Sequence, residues 1–216
     1  MTFASFLDIL PDPIHGIDAS GAPGATKGPG FARVKLTSVE PSMKSSSAEY
    51  DLVSYHKWKV NLTYNPMTRD AFDPIYSFLM QKRNTLEPFY VELPQFASQT
   101  LTGIIVSSGG GLGDTTLSVS GTGISAGSMF LLREKGYLIT RVETASEYSS
   151  SWPAPPAGNS RIHITPPLQE IVTWPDGLTF VNPYLKVVQV GDTVSSMLDT
   201  HNLYSFSLEL EEAYAR

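Results

Sequence analysis

The residue types that could do chemistry are present in this sequence, but their spacing assembles no site. Four histidines, His15, His56, His163 and His201, are scattered along the chain with no pair at metal-ligand spacing. Each is therefore read as a surface or strand residue, and no metal ligand, catalytic residue or cofactor-binding residue is assigned. Asp199 and His201 are a local acid–histidine pair, but no serine is assigned to serve them as an elbow nucleophile, so a hydrolase triad is not expected. Gly109-Gly110-Gly111-Leu112-Gly113-Asp114 has the glycine content of a phosphate cradle. It lacks the Lys-Ser/Thr tail of a P-loop and no helical pattern follows it, so a flexible hairpin tip is expected instead. Glu209, Glu211 and Glu212 read as a solvated strand face and tail rather than the paired carboxylates of a glycosidase. Asn61-Leu62-Thr63 has the form of a glycosylation acceptor but falls in the middle of a strand pattern. The remaining candidates are Tyr148, Trp152 and Trp174, aromatics in or beside Pro-rich loops that can stack on a sugar, meet a partner protein, or pack as a small cluster under a loop.

The bulk numbers exclude whole classes. The net charge is −6 with no block of Lys and Arg, whereas a nucleic-acid footprint needs clustered cations, so no specific nucleic-acid binding is expected. With no cysteine the chain has no disulfide, no thiol chemistry and no cysteine-type zinc site. No apolar run approaches the ~18 residues of a membrane span, and residues 1–10 lack the basic start and apolar centre of a signal peptide. A soluble, unprocessed protein is expected. At 41% apolar and 17% charged residues it has enough apolar surface to bury a core.

The elements that would carry any function are organised around residues 55–93. Trp58, Val60, Leu62 and Tyr64 alternate with Lys57, Lys59, Asn61 and Thr63, the period of a strand with one face buried. Phe72, Ile75, Tyr76, Leu79 and Met80 then fall on one helical stripe. Because Pro74 in a helix interior costs roughly 3 kcal/mol, the spacing favours a loose turn over 68–72 and a regular helix from Pro74 with Asp73 as its cap. Cations in 81–84 suit the C-terminal end of the helix dipole, and Phe89, Val91 and Leu93 alternate as a second strand after Pro88.

Around this unit, residues 1–30 are rich in Pro and Gly and read as an extended N-terminal arm, either a flexible end or a strap laid on a neighbouring surface. Its apolar Phe3, Phe6, Leu7, Ile9 and Leu10 are expected to be buried by something outside their own fold. A strand follows at 32–39 and a polar loop at 41–48. From Gln95 the texture turns to Gly, Ser and Thr with short, evenly spaced strands, including a hairpin across Arg133-Glu134-Lys135-Gly136 in which Gly136 is available for a positive φ. Tyr204, Phe206, Leu208 and Leu210 repeat the alternation of Trp58–Tyr64, so the last strand is expected to return and pair with the first domain. The chain thus divides into an arm (1–30), a strand–helix–strand β domain (31–94 plus 195–216) and an inserted β domain (95–194).

Trp58-x-Val60-x-Leu62-x-Tyr64, Met67-Thr68-Arg69, the helix at 78–83 and Phe89-Tyr90-Val91-Glu92-Leu93-Pro94 together resemble tail proteins of tailed bacteriophages. The resemblance is to the small distal-tail or baseplate-hub components that begin the tail tube. It continues through Ala126-Gly127-Ser128-Met129-Phe130, Gly136-Tyr137, Thr165-Pro166-Pro167-Leu168, Phe180-Val181-Asn182-Pro183 and Leu203-Tyr204-Ser205-Phe206-Ser207, covering about residues 50–216. It implies a mainly β protein with one packed helix, a tube-like β-barrel or sandwich domain carrying an inserted small β-barrel. It also implies a non-enzymatic structural role without cofactors, in a homo-oligomeric ring, expected to be a hexamer. The ring would join the tail tube to baseplate or tail-fibre proteins in the virion, the chain itself being made in the host cytoplasm. The alternative is a carbohydrate- or surface-binding β module using Tyr148, Trp152 or Trp174.

Overall fold

The computed structural model describes residues 8–10, 31–39, 57–82, 87–96, 99–121, 123–143, 158–181, 183–191, 196–198 and 203–213. Along them run β1 (Phe31–Val39), β2 (Lys57–Tyr64), α1 (Arg69–Gln81), β3 (Phe89–Glu92), β4 (Ile105–Val106), β5 (Thr116–Ser120), β6 (Met129–Leu132), β7 (Lys135–Val142), β8 (Asn159–Thr165), β9 (Tyr184–Gln189), β10 (Ser196–Leu198) and β11 (Tyr204–Glu212). Among the described residues the protein is mainly β with a single α-helix, as its alternating patterns require. Two compact units form: Met1–Thr37, Trp58–Glu92 and Tyr184–Arg216 make the first, Ser38–Lys57 and Leu93–Pro183 the second.

In the first unit the sheet order is β1-β2-β11-β9-β3, with β10 also paired to β11. Trp58, Val60, Leu62 and Tyr64 are all buried, and β11 lies antiparallel to β2 with Leu208 opposite Leu62 and Leu210 opposite Val60. The matched register puts both apolar sets on one face, so the returning strand sits mid-sheet. On the other face Glu209 is exposed and Lys59 approaches Glu211 at 4.0 Å. Glu212 departs from the expected solvated tail. It is 2% exposed, and its carboxylate accepts the Trp58 N–H at 3.2 Å.

Two helix expectations are corrected. The helix begins at Arg69 and contains Pro74, with Thr68 at the N-cap position but no side-chain cap bond. Burial outweighs the proline here: Phe72, in the turn before Pro74, is buried and stacks on Tyr204, while the carbonyl of exposed Asp70, left without its helical donor, can meet water. The buried stripe is Phe72, Ile75, Phe78 and Leu79, whereas Tyr76 and Met80 are exposed. Phe78 wins because its ring meets Phe89 of β3 edge-on at 5.4 Å.

A third correction concerns residues 8–10. Ile9 and Leu10 are buried within the first unit itself, where Ile9 bridges Tyr90 in parallel and the Leu10 N–H donates to the Tyr90 carbonyl at 2.8 Å. Phe3, Phe6 and Leu7 lie outside the described residues.

The second unit has the sheet order β4-β5-β8-β7-β6. Residues 176–180 close its two ends. The Val106 N–H donates to the Asp176 carbonyl and the Leu178 N–H to Ile104 on the β4 side, while Thr179 and Leu131 exchange both bonds on the β6 side. Leu178 and Phe180 point inward to the core while Gly177 and Thr179 stay exposed, the alternation of a barrel wall. The β6–β7 hairpin turns on two residues, Arg133 (φ 50°) and Glu134 (φ 68°), and Gly136 is a ladder residue opposite Leu131. The positive φ therefore falls on Arg133 and Glu134, as a two-residue hairpin turn of this hand demands.

Candidate interaction surface

The tight turn places Arg133 beside the segment that leads into the closing strand. Its guanidinium donates to the Ile171 carbonyl at 3.1 Å and to Asp176 at 2.9 Å, and lies 3.6 Å from Glu170. Asp176 Oδ2 also accepts the Thr173 N–H at 2.9 Å, while the Asp176 N–H donates back to the Thr173 carbonyl at 2.8 Å. Four residues, Thr173 to Asp176, are thus held as a turn with Trp174 at its tip. Trp174 and Ile171 are each 67% exposed. A large exposed apolar ring on a turn pinned by a guanidinium and a carboxylate can stack on a flat apolar face. Trp and Arg are the types enriched where binding energy concentrates.

The other sequence candidates fare differently. Gly109-Gly110-Gly111 is not a free tip: Gly110 is buried and bridges Val172. The Gly110 N–H goes to Val172, the Gly113 N–H to Leu168, and the Gly111 N–H to the Asp114 carboxylate at 2.6 Å, so three of the glycine amides that would cradle a phosphate are already engaged. The sequence also contains one string at nucleophile-elbow spacing, Gly123-Ile124-Ser125-Ala126-Gly127. It runs from β5 to β6 with no helix after it, and Ser125 Oγ pairs with Ser128 Oγ at 3.2 Å, which is not the strand-to-helix elbow. His15, Tyr148, Trp152, Asp199 and His201 lie outside the described residues, as does His56.

His163 gains a partner that sequence spacing hides. On β8, Arg161 and His163 alternate with buried Ile162 and Ile164 and so share the outer face. Glu143, twenty residues before His163, accepts from Arg161 at 3.2 Å and meets His163 Nε2 at 2.8 Å. The β7–β8 pairing, which sets Val142 opposite Ile162, makes this contact. It fixes the end of a ladder with charge; among the described residues no group of three or more His, Cys, Asp or Glu could hold a metal ion. Arg133 was equally hidden, since its role comes from a turn and from contacts about forty residues away.

No known family model matches the chain, and no curated protein matches its sequence significantly. Among the described residues no helix is long and apolar enough to cross a membrane.

Proposed function

We propose that this protein is a structural, non-enzymatic component of a phage tail, forming a ring at the distal end that connects the tail tube to baseplate or tail-fibre proteins. The observation that supports this best is topological. β3 and β9, the strands that bracket the Leu93–Pro183 segment of the second unit in sequence, are antiparallel neighbours in the first unit's sheet, with Val91 opposite Leu185. The five-stranded sheet of the second unit, β4 to β8, is therefore carried as an insertion between two paired strands, one unit available for assembly and the other for attachment. That division of labour suits a connector in a ring, and it agrees with the ordered motif resemblance over residues 50–216. The test is a native mass measurement followed by electron microscopy of particles carrying a labelled chain. A ring of six times 23.6 kDa at the distal tail is expected. A monomer absent from purified particles would sink the reading.

Trp174 favours a second reading, a carbohydrate- or surface-binding module, because 67% of this residue is exposed on a pinned turn. A glycan array that retains the intact protein and loses Trp174→Ala would support it.

A further inference from the structure

We propose that residues 8–10 guard the β3 edge of the first unit's sheet, and that β1 of a second copy takes this edge when the guard lifts. In the sheet order β1-β2-β11-β9-β3, β3 has β9 on one side. On its other side Ile9 bridges Tyr90 and the Leu10 N–H donates to the Tyr90 carbonyl. Three further contacts hold this piece down. Ile9 and Leu10 are 5% and 3% exposed, and Asp8 forms an ion pair with Lys82 at the end of α1. Lys82 lies over Phe78, its Nζ 5.8 Å from the ring centroid, and Phe78 packs edge-on against Phe89 of β3. Helix end, strand edge and guard are thus one contact set.

The guard is short. Pro11 follows it directly and offers no N–H to an edge that is four residues long. At the other end of the sheet, β1 is nine residues long, with β2 on one side and no strand on the other among the described residues. Its exposed Lys35 and Thr37 flank half-buried Leu36, an alternation that continues the two faces of a sheet. Among the described residues, one molecule has one uncovered edge while the guard is in place. With it lifted, the molecule has two different edges, the condition for head-to-tail addition that closes into a ring or continues as a filament. The inference deepens the ring reading by naming the edges, and it is tested in solution, so that the two fail separately.

The chain has no cysteine, which permits a reversible lock. An Asp8→Cys/Lys82→Cys chain bridged by a short bis-thiosulfonate reagent holds the guard down until reductant is added. Ile9→Ser/Leu10→Ser lifts it permanently. In sedimentation experiments the guard-lifted chain should associate at a concentration on the order of tenfold lower than the unmodified protein, a shift expected from an uncovered strand edge. The locked chain should stay monomeric at concentrations where the reduced one associates. Lys35→Pro added to the guard-lifted chain should reverse the association. If that variant loses its cooperative melt, guard-lifted Thr37→Cys and Tyr90→Cys chains mixed in equal amounts should give a covalent dimer under oxidation.

Locked and released chains that associate alike would overturn the guard. So would a folded, guard-lifted chain that remains monomeric. Association that survives Lys35→Pro, or the absence of the mixed covalent dimer, would remove β1 as the occupant. A distal ring imaged with residues 8–10 still docked on their own chain would leave the proposed function standing and remove this mechanism.

Discussion

Phe72, in the first turn of α1, lies flat on Tyr204 at the start of β11, with ring centroids 4.7 Å apart and planes within 5° of parallel. The backbone is sewn at the same place, since Met67 and Tyr204 exchange both hydrogen bonds, at 2.9 and 2.8 Å. Phe72 also meets Phe206 edge-on at 5.2 Å. The helix entry and the returning strand therefore fold as one piece. Phe72→Ala should cost about 3–5 kcal/mol. A double-mutant cycle with Tyr204→Leu, read by urea unfolding, should return a coupling of about 0.5–1.5 kcal/mol. Strict additivity of the two would show that the stack contributes nothing beyond its buried area.

Pro74 removes a donor from the middle of α1, and Phe72 holds the preceding turn in place regardless. Pro74→Ala restores the bond to the Asp70 carbonyl. Against that gain stands the extra freedom of the unfolded chain, about 0.4–1 kcal/mol. The interior proline penalty is roughly 3 kcal/mol, so a net stabilisation of about 2–2.5 kcal/mol is expected as a higher urea midpoint at unchanged slope. A lower midpoint would mean that the proline ring packs better than its missing bond costs.

The same two residues show where sequence reading succeeds and fails. The strands were legible because a period of two forces one face inward, and Trp58–Tyr64 and Tyr204–Leu210 carry it without interruption. Helix boundaries were not. Pro74 is a local signal for a start, and it was overridden by Phe72 meeting two rings about 130 residues away in sequence. The surface was least legible of all. Trp174 was visible as an aromatic near prolines, but what orders it, Arg133 in a left-handed turn, depends on the register of a hairpin. Glu143 and His163 likewise meet only because β7 pairs β8.

The glycine triplet gives a sharp comparison within three residues. A Cβ built on Gly110 would lie 2.6 Å from Leu168 Cδ1 and 3.2 Å from Val172 Cγ2, inside the barrel core, whereas at Gly111 the nearest atom is Asp114 Oδ2 at 3.4 Å. Gly110→Ala should destabilise the second unit by about 1–3 kcal/mol through overpacking, while Gly111→Ala should change it by under about 0.5 kcal/mol. Thermal melts of the two variants side by side decide the matter. Equal, small shifts would mean that the loop moves as a free tip after all.

Arg133 carries two opposed effects that one substitution separates. Its backbone sits at φ 50°, where a Cβ is unfavourable, while its side chain, 43% exposed, holds Glu170, Asp176 and the Ile171 carbonyl. Arg133→Gly relieves the backbone by about 1 kcal/mol and gives up exposed ion pairs worth roughly 0–1 kcal/mol, so global stability should barely move. The local consequence is larger. Without the guanidinium, the Asp176–Thr173 bonds remain to close the turn, so the backbone that carries Trp174 should loosen. Amide exchange at Thr173 is expected to rise several-fold, with a fall in Trp174 fluorescence anisotropy, while the melting temperature stays put. A fall of several degrees in the melt with no change at Thr173 would instead make Arg133 a stabilising residue of the barrel rather than the brace of its exposed tryptophan.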